Sequence, residues 1–133
     1  MTYPERVQTV QPGAGLENVI TVGGIRRAEL VSVQVSLTTG LVLANRLLTI
    51  VITDQWDREV LTIPTAVVQV ANTVRAYKFI TAGEFYTVSG YVAARVPANT
   101  LMDPGWRISS LTENLQEGDQ YSGMIVWLRR YDG

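Results

Sequence analysis

Few residues in this chain can do chemistry. Its 133 residues include no histidine and no cysteine. That removes imidazole bases, thiolate nucleophiles, disulfides and the commonest zinc ligands together. Lysine occurs once, as Lys78, a thin basis for a Schiff base or a phosphate clamp. What remains is the carboxylates, which could pair, for example Asp54 with Asp57 or Glu117 with Asp119. A glycosidase needs opposed acids across a cleft. Both pairs here stand in polar turns, where acids bond backbone amides and face water. Asp54 and Asp57 also fall short of the ladder of oxygen ligands that calcium requires. Serines and threonines are plentiful, but no base is placed to activate one. Gly13, Gly15 and Gly23-Gly24 lack the strand–loop–helix setting of a phosphate cradle. The expectation is a non-enzyme with no cofactor and no metal.

Composition narrows the class. Hydrophobic residues make up 47% and charged residues 17%, close to the globular average. The length suits one domain with a real core. Apolar runs such as Leu41 to Ala44 and Ile125 to Leu128 are far too short to span a membrane as a helix. No basic segment followed by an apolar one opens the chain, so no secretory signal is expected. A net charge of −1, from 11 basic and 12 acidic residues, gives no electrostatic reason to bind nucleic acid or a membrane surface.

The elements follow from periodicity. Residues 1–15 carry Pro4, Pro12, Gly13 and Gly15 and read as an extended N-terminal arm, with Tyr3, Val7 and Val10 as its contact residues. Residues 16–133 read as the domain proper. Leu16 to Val22 is a short strand. From Arg26 to Thr39, Val31, Val33, Val35 and Leu37 alternate with polar residues, the pattern of a sheet with one wet face. Leu41 to Thr53 follows, with Leu48, Ile50 and Ile52 inward and Thr49, Val51 and Thr53 outward, and a polar reversal carries Trp56. Glu59 to Ile63 returns. Ala66, Val68 and Val70 alternate in a further short strand, and Val74 to Thr81 opposes Tyr77 and Phe79 to Val74, Ala76 and Ile80. Tyr86, Val88 and Val92 share an extended face, and the strand ends near Val96.

Pro104-Gly105 turns the chain into an alternating segment with Trp106 and Ile108 on one side. A loop through Glu117-Gly118-Asp119 leads to the last strand. There Ser122, Met124, Val126 and Leu128 point one way, and Tyr121, Ile125, Trp127, Arg129 and Tyr131 the other. The first set can fill a core and the second needs a cover. No helical periodicity is sustained. About eight short strands with turn signals at regular spacing predict an all-β, single-domain antiparallel β-sandwich, jelly-roll-like. Few charges protect its strands, so association is the expected remedy for its edges. Trp56, Tyr121, Ile125, Trp127, Arg129 and Tyr131, with Tyr3, Val7 and Val10 of the arm, form the expected interface. Arg26-Arg27 and Arg129-Arg130 are read either as solvated charges or as bridges between subunits.

Ala44-Asn45-Arg46 opening the apolar strand LLTIVITD resembles small tailed-bacteriophage structural proteins. So does the ending in which Gly105-Trp106-Arg107-Ile108 precedes Gly118-Asp119-Gln120. The likeness runs from about Leu30 to Tyr131. It implies a virion component, most of all a capsid decoration (cement) protein, otherwise a head-tail connector, neck or tail accessory subunit. The implied partners are its own copies, a homo-oligomer with a trimer as one form, and the major capsid or another virion protein. The implied location is the virion, assembled in the host cytoplasm. A carbohydrate-binding β-sandwich, with Trp56, Trp106 and Trp127 as a stacking platform, is the alternative the residues themselves suggest.

Overall fold

The computed structural model describes residues 2–81, 87–88 and 90–131. It is all-β, and twelve strands are present among the described residues. They are β1 (Thr2–Gln8), β2 (Val19–Thr21), β3 (Ala28–Thr38), β4 (Leu47–Thr53), β5 (Glu59–Pro64), β6 (Val74–Ile80), β7 (Thr87–Val88), β8 (Tyr91–Arg95), β9 (Leu101–Met102), β10 (Arg107–Glu113), β11 (Gln120–Tyr121) and β12 (Ile125–Tyr131). The larger sheet runs β1-β12-β3-β6-β8-β7, with β9 and β11 also pairing with β3, and the smaller runs β2-β10-β4-β5. Setting aside β7 to β9 and the two-residue β11, the chain changes sheet at every connection except the β4–β5 hairpin. First and last strands lie side by side. This wrapped order, β1-β12-β3-β6 against β2-β10-β4-β5, is that of a jelly roll. β8 joins β6 in parallel, whereas the eight principal strands pair antiparallel.

One hydrophobic core joins the two sheets. Ile20, Leu48, Ile50, Ile52, Ile63 and Ile108 from the smaller meet Leu30, Val33, Val35, Leu37, Tyr77, Phe79, Val126 and Leu128 from the larger. The inward placement expected for Leu48, Ile50 and Ile52 and for Tyr77 and Phe79 holds, because those strands pair without interruption on their core-facing stretches, while Val51, expected outward, is buried too although it lies outside this core.

Several expectations are corrected. Residues 2–8 are not a free arm: β1 pairs with β12 over its whole length, Thr2 with Tyr131 through to Gln8 with Ile125. Leu41 to Arg46 is loop, and the strand begins at Leu47. Residues 66–70 form no strand; Gln69 makes only a bridge to Arg46. Tyr86 lies outside the described residues.

Parity on β3 also differs. Trp127 pairs with Ser32 but Leu128 pairs with Leu30, so Val31 is an extra residue in the ladder. Such a bulge switches every side chain beyond it to the other face. Leu30 is therefore fully buried and Val31 is only half-buried. Leu30→Ala should cost about 2–5 kcal/mol of stability, and Val31→Ala less than about 1 kcal/mol. Urea unfolding of the two variants checks the order; equal costs would place both residues in the core.

Candidate interaction surface

At one end of the sandwich the sequence buries an ion pair. Arg46, just before β4, and Asp119, just before β11, have side chains with no solvent exposure. Arg46 Nε donates to Asp119 Oδ2 at 2.8 Å and Nη2 to Oδ1 at 2.9 Å, while Nη1 donates to the Ala44 carbonyl at 2.7 Å. The carboxylate also accepts the backbone amides of Gly40 and Gln116, each at 2.9 Å. Burial alone raises the Asp119 carboxyl, but the guanidinium and these amides outweigh it and hold it below the usual carboxylate range. The pair belongs to a polar seam between the sheets. Gln69 donates to the Leu37 carbonyl and accepts from the Tyr77 hydroxyl. Glu17 accepts from Ser110 Oγ and from Thr112 N and Oγ1, and the Thr112 and Tyr121 hydroxyls bond each other. Burial pushes the Tyr77 and Tyr121 phenols up, so both stay neutral.

This seam holds a set of apolar loops in place. Leu41 is 79% exposed and Leu43 91%, with Val42 between them also exposed. Val70 and Ala71 share a shallow groove with Leu43, Ala44 and Asn45, and exposed Val74 opens β6 nearby. The Asn72 amide donates to the Gly40 carbonyl, and Asn114 donates to the Asn45 carbonyl. The loop carrying the leucines is thus bonded on both sides to the body of the domain. A signal for it is visible in the sequence, since Leu41-Val42-Leu43-Ala44 is an unbroken apolar run between Gly40 and Asn45 with no alternation to assign it a buried face.

The expected interface residues are not gathered on one surface. Tyr121 is buried in the core, a correction with a clear cause. It pairs with Leu37 while Ile125 pairs with Gln34, four steps along one chain against three along the other. The slip falls at Ser122-Gly123 and puts Tyr121 on the same side as Met124. Val7 packs on the core. Ile125 is half-buried, Trp127 is 36% exposed, and Arg129 pairs with Glu29 on the outer face of the larger sheet. The last strand, enclosed by β1 and β3, therefore offers less open apolar surface than its sequence suggests. Val10 is fully open. The side chains of Tyr3 and Tyr131 lie outside the described residues.

Trp56 is 67% exposed at the β4–β5 turn, with the Arg58 guanidinium 4.9 Å from its ring centre. Trp106 stands at that same end, its indole N–H donating to Gln55. Trp127 is on the other sheet, so the three tryptophans form no common stacking platform.

The paired acids have other uses. Asp54 accepts the Trp56 and Arg58 amides and pairs with the Arg58 side chain. Burial raises its carboxyl, yet those bonds leave it lowered. Asp57 pairs with Arg107, and Asp119 is enclosed by the seam. Among the described residues no three acids form a metal cluster. Of the arginine pairs, Arg27 meets Asp103, Arg129 meets Glu29, and Arg130 meets Glu5 and the Gly23 and Arg26 carbonyls. These bridges lie within one chain.

No family model matches this chain, and no curated protein matches it. Among solved structures it is similar to a protein of the T13 viral particle of infectious bursal disease virus, with a TM-score of 0.47 and 11% identity over 94% of this chain. It spans 31% of that protein's length. It is also similar to a Bacillus endospore appendage pilus protein, with a TM-score of 0.42 and 12% identity over 99% of this chain and 89% of the other. A third likeness is to PorU of Porphyromonas gingivalis, with a TM-score of 0.49 and 11% identity over 99% of this chain and 13% of that one. These overlaps are too loose to carry function across.

The ion pair makes an acid-stability prediction. Asp119 titrates lower when folded than when unfolded. Its contribution is therefore complete above the ordinary carboxylate pKa of about 4 and is lost as pH falls through the folded value. Asp119→Asn should cost about 3–5 kcal/mol at neutral pH, because Arg46 is left buried without its counter-charge, and should flatten the acid limb. Urea midpoints from pH 7 down to 2 check both; an unchanged limb would assign the acid dependence to other carboxylates.

Proposed function

We propose that this chain is a structural virion protein of a tailed bacteriophage, a capsid decoration (cement) protein that binds the capsid lattice and stabilises it without catalysis. The observation that carries this reading is the exposed apolar loop Leu41-Val42-Leu43, anchored on both sides, at Gly40 and Ala44, by the buried Arg46–Asp119 pair. An exposed apolar patch on fixed backbone is the mark of a contact surface. Its backbone is ordered before the partner arrives, so less entropy is lost on docking. The jelly-roll order fits the role, since capsid domains use it, although the fold alone does not assign function. The resemblance of the Ala44-Asn45-Arg46 and Gly105-to-Gln120 segments to phage structural proteins points the same way. Notably, Asn45 and Arg46 adjoin the apolar loop itself. Its partners in this reading are its own copies and the major capsid protein, and its place is the virion.

The test uses purified particles from the phage that encodes the chain. The wild-type protein, added to particles lacking it, should co-sediment at a fixed ratio to the capsid subunit. The double variant Leu41→Ser, Leu43→Ser should keep its urea midpoint, as exposed substitutions usually shift stability by no more than about 0.5 kcal/mol, and should lose at least tenfold in particle affinity. A wild-type protein that never sediments with particles, or a double variant that binds as well, overturns the reading.

A further inference from the structure

The four outer edges of the two sheets differ in how they are protected. An edge strand presents unpaired backbone groups that template pairing with another chain, and proteins blunt it with shortness, charge or proline. β7 has two residues and β2 three. β1 carries Pro4, Glu5 and Arg6 in its interior. β5, with the sequence EVLTIP, is six residues long and keeps its only charge and its only proline at its ends, and its one irregularity, a bulge at Val60, lies next to its start and leaves Leu61 to Pro64 in unbroken register. It is the terminal strand of the smaller sheet, and Glu59, Val60, Thr62 and Pro64 are exposed.

The ladder tells which backbone groups are free. Thr65 N donates to the Leu48 carbonyl, and β5 runs in register from Ile52–Leu61 to Thr49–Pro64. Hydrogen-bonded pairs alternate along an antiparallel ladder. Ile63 and Leu61 therefore turn their N–H and C=O toward β4, and Thr62 turns both outward. Pro64 shares Thr62's parity and lacks an N–H, so its position costs no donor inside the chain.

We propose that β5 pairs antiparallel with β5 of a second copy of this chain, about a two-fold axis passing beside Thr62. In that register Thr62 faces Thr62 of the other copy and the two exchange both backbone bonds. Pro64 falls beside the Val60 bulge of the other copy, so the residue without a donor and the irregular residue meet at the rim of the contact. The one charge of each strand, Glu59, lies beyond that bulge and away from the axis, so the two do not meet. The threonine pair adds a favourable cross-strand contact. The same patch serves both copies, as an isologous contact requires, and two four-stranded sheets become one of eight. A two-fold contact of this kind differs from the trimer considered from sequence. It rests on the edge alone and needs nothing from the virion reading: particle binding by the loop 41–43 can fail while this pairing stands.

Analytical ultracentrifugation of the wild type over a dilution series should show a concentration-dependent rise from 14.7 kDa to twice that mass. Thr62→Pro removes the outward donor without touching the ladder to β4, and its predecessor Leu61 is already extended. It should stay monomeric over the same range with an unchanged circular dichroism spectrum. Should that variant fail to fold, a single cysteine decides, since the chain has none. Thr62→Cys should form an interchain disulfide on mild oxidation, because hydrogen-bonded partners stand about 5.5 Å apart at Cα. Val60→Cys, displaced along the strand from its own copy, should not. A wild type that stays monomeric throughout, a folded Thr62→Pro that still dimerises, or equal cross-linking at 60 and 62 overturns the proposal.

Discussion

The structure depends on a charge pair taken wholly out of water. Burying an isolated guanidinium or carboxylate is costly, and mutual attraction repays that cost only when the remaining hydrogen-bonding capacity is filled. Here it is filled from four directions: the bidentate contact, the Ala44 carbonyl, and the amides of Gly40 and Gln116. Arg46 leads into the smaller sheet and Asp119 into a strand paired with β3 of the larger. Their contact therefore fixes how the two sheets meet at that end. The Glu17–Thr112–Tyr121 and Gln69–Tyr77 bonds extend the same seam, and no buried side-chain polar atom of the described residues lacks a partner. A hydrophobic core alone tolerates many packings; a polar seam with every group satisfied tolerates few.

That seam turns a loop into a surface. A run such as Leu41-Val42-Leu43 on a mobile loop would fold back on the nearest apolar area. With Gly40 and Ala44 both bonded to the ion pair, the leucines are held away from the domain, and their apolar area stays in water until something else covers it. The opposite end is built on the same logic with weaker means. Asp54 closes the β4–β5 turn through two amides and Arg58, leaving Trp56 outside with one face against the guanidinium.

Reading the strands from alternation succeeded where the ladder is unbroken. Leu48, Ile50 and Ile52 could be assigned to the core from sequence because β4 pairs on both sides without a slip in that stretch. It failed wherever one residue is inserted. Val31 was expected inside and Leu30 is there; Tyr121 was expected outside and is enclosed. At Leu30-Val31 neighbours on both parities are apolar, and at Tyr121 the run Ser122-Gly123 carries no apolar side chain to hold the alternation, so the pattern is compatible with either face. Only the register of the partner strand chooses. Residues 2–8 pair for a related reason: Pro4 bars a central strand, but an edge strand accepts proline, and β12 supplies the edge.

The candidate surface was less legible than the fold. Arg46 and Asp119 are 73 residues apart, and nothing local marks them as partners; the run before Arg46 looked like the start of a strand. What the sequence determined by itself was the class and part of the chemistry: period-two alternation marks strands, and a chain without histidine or cysteine has no imidazole or thiol to use. What the tertiary structure alone decided was which apolar residues are left in water. Alternation is a property of neighbours along the chain, whereas exposure depends on register, bulges and ion pairs between segments that meet only once the two sheets have closed on each other.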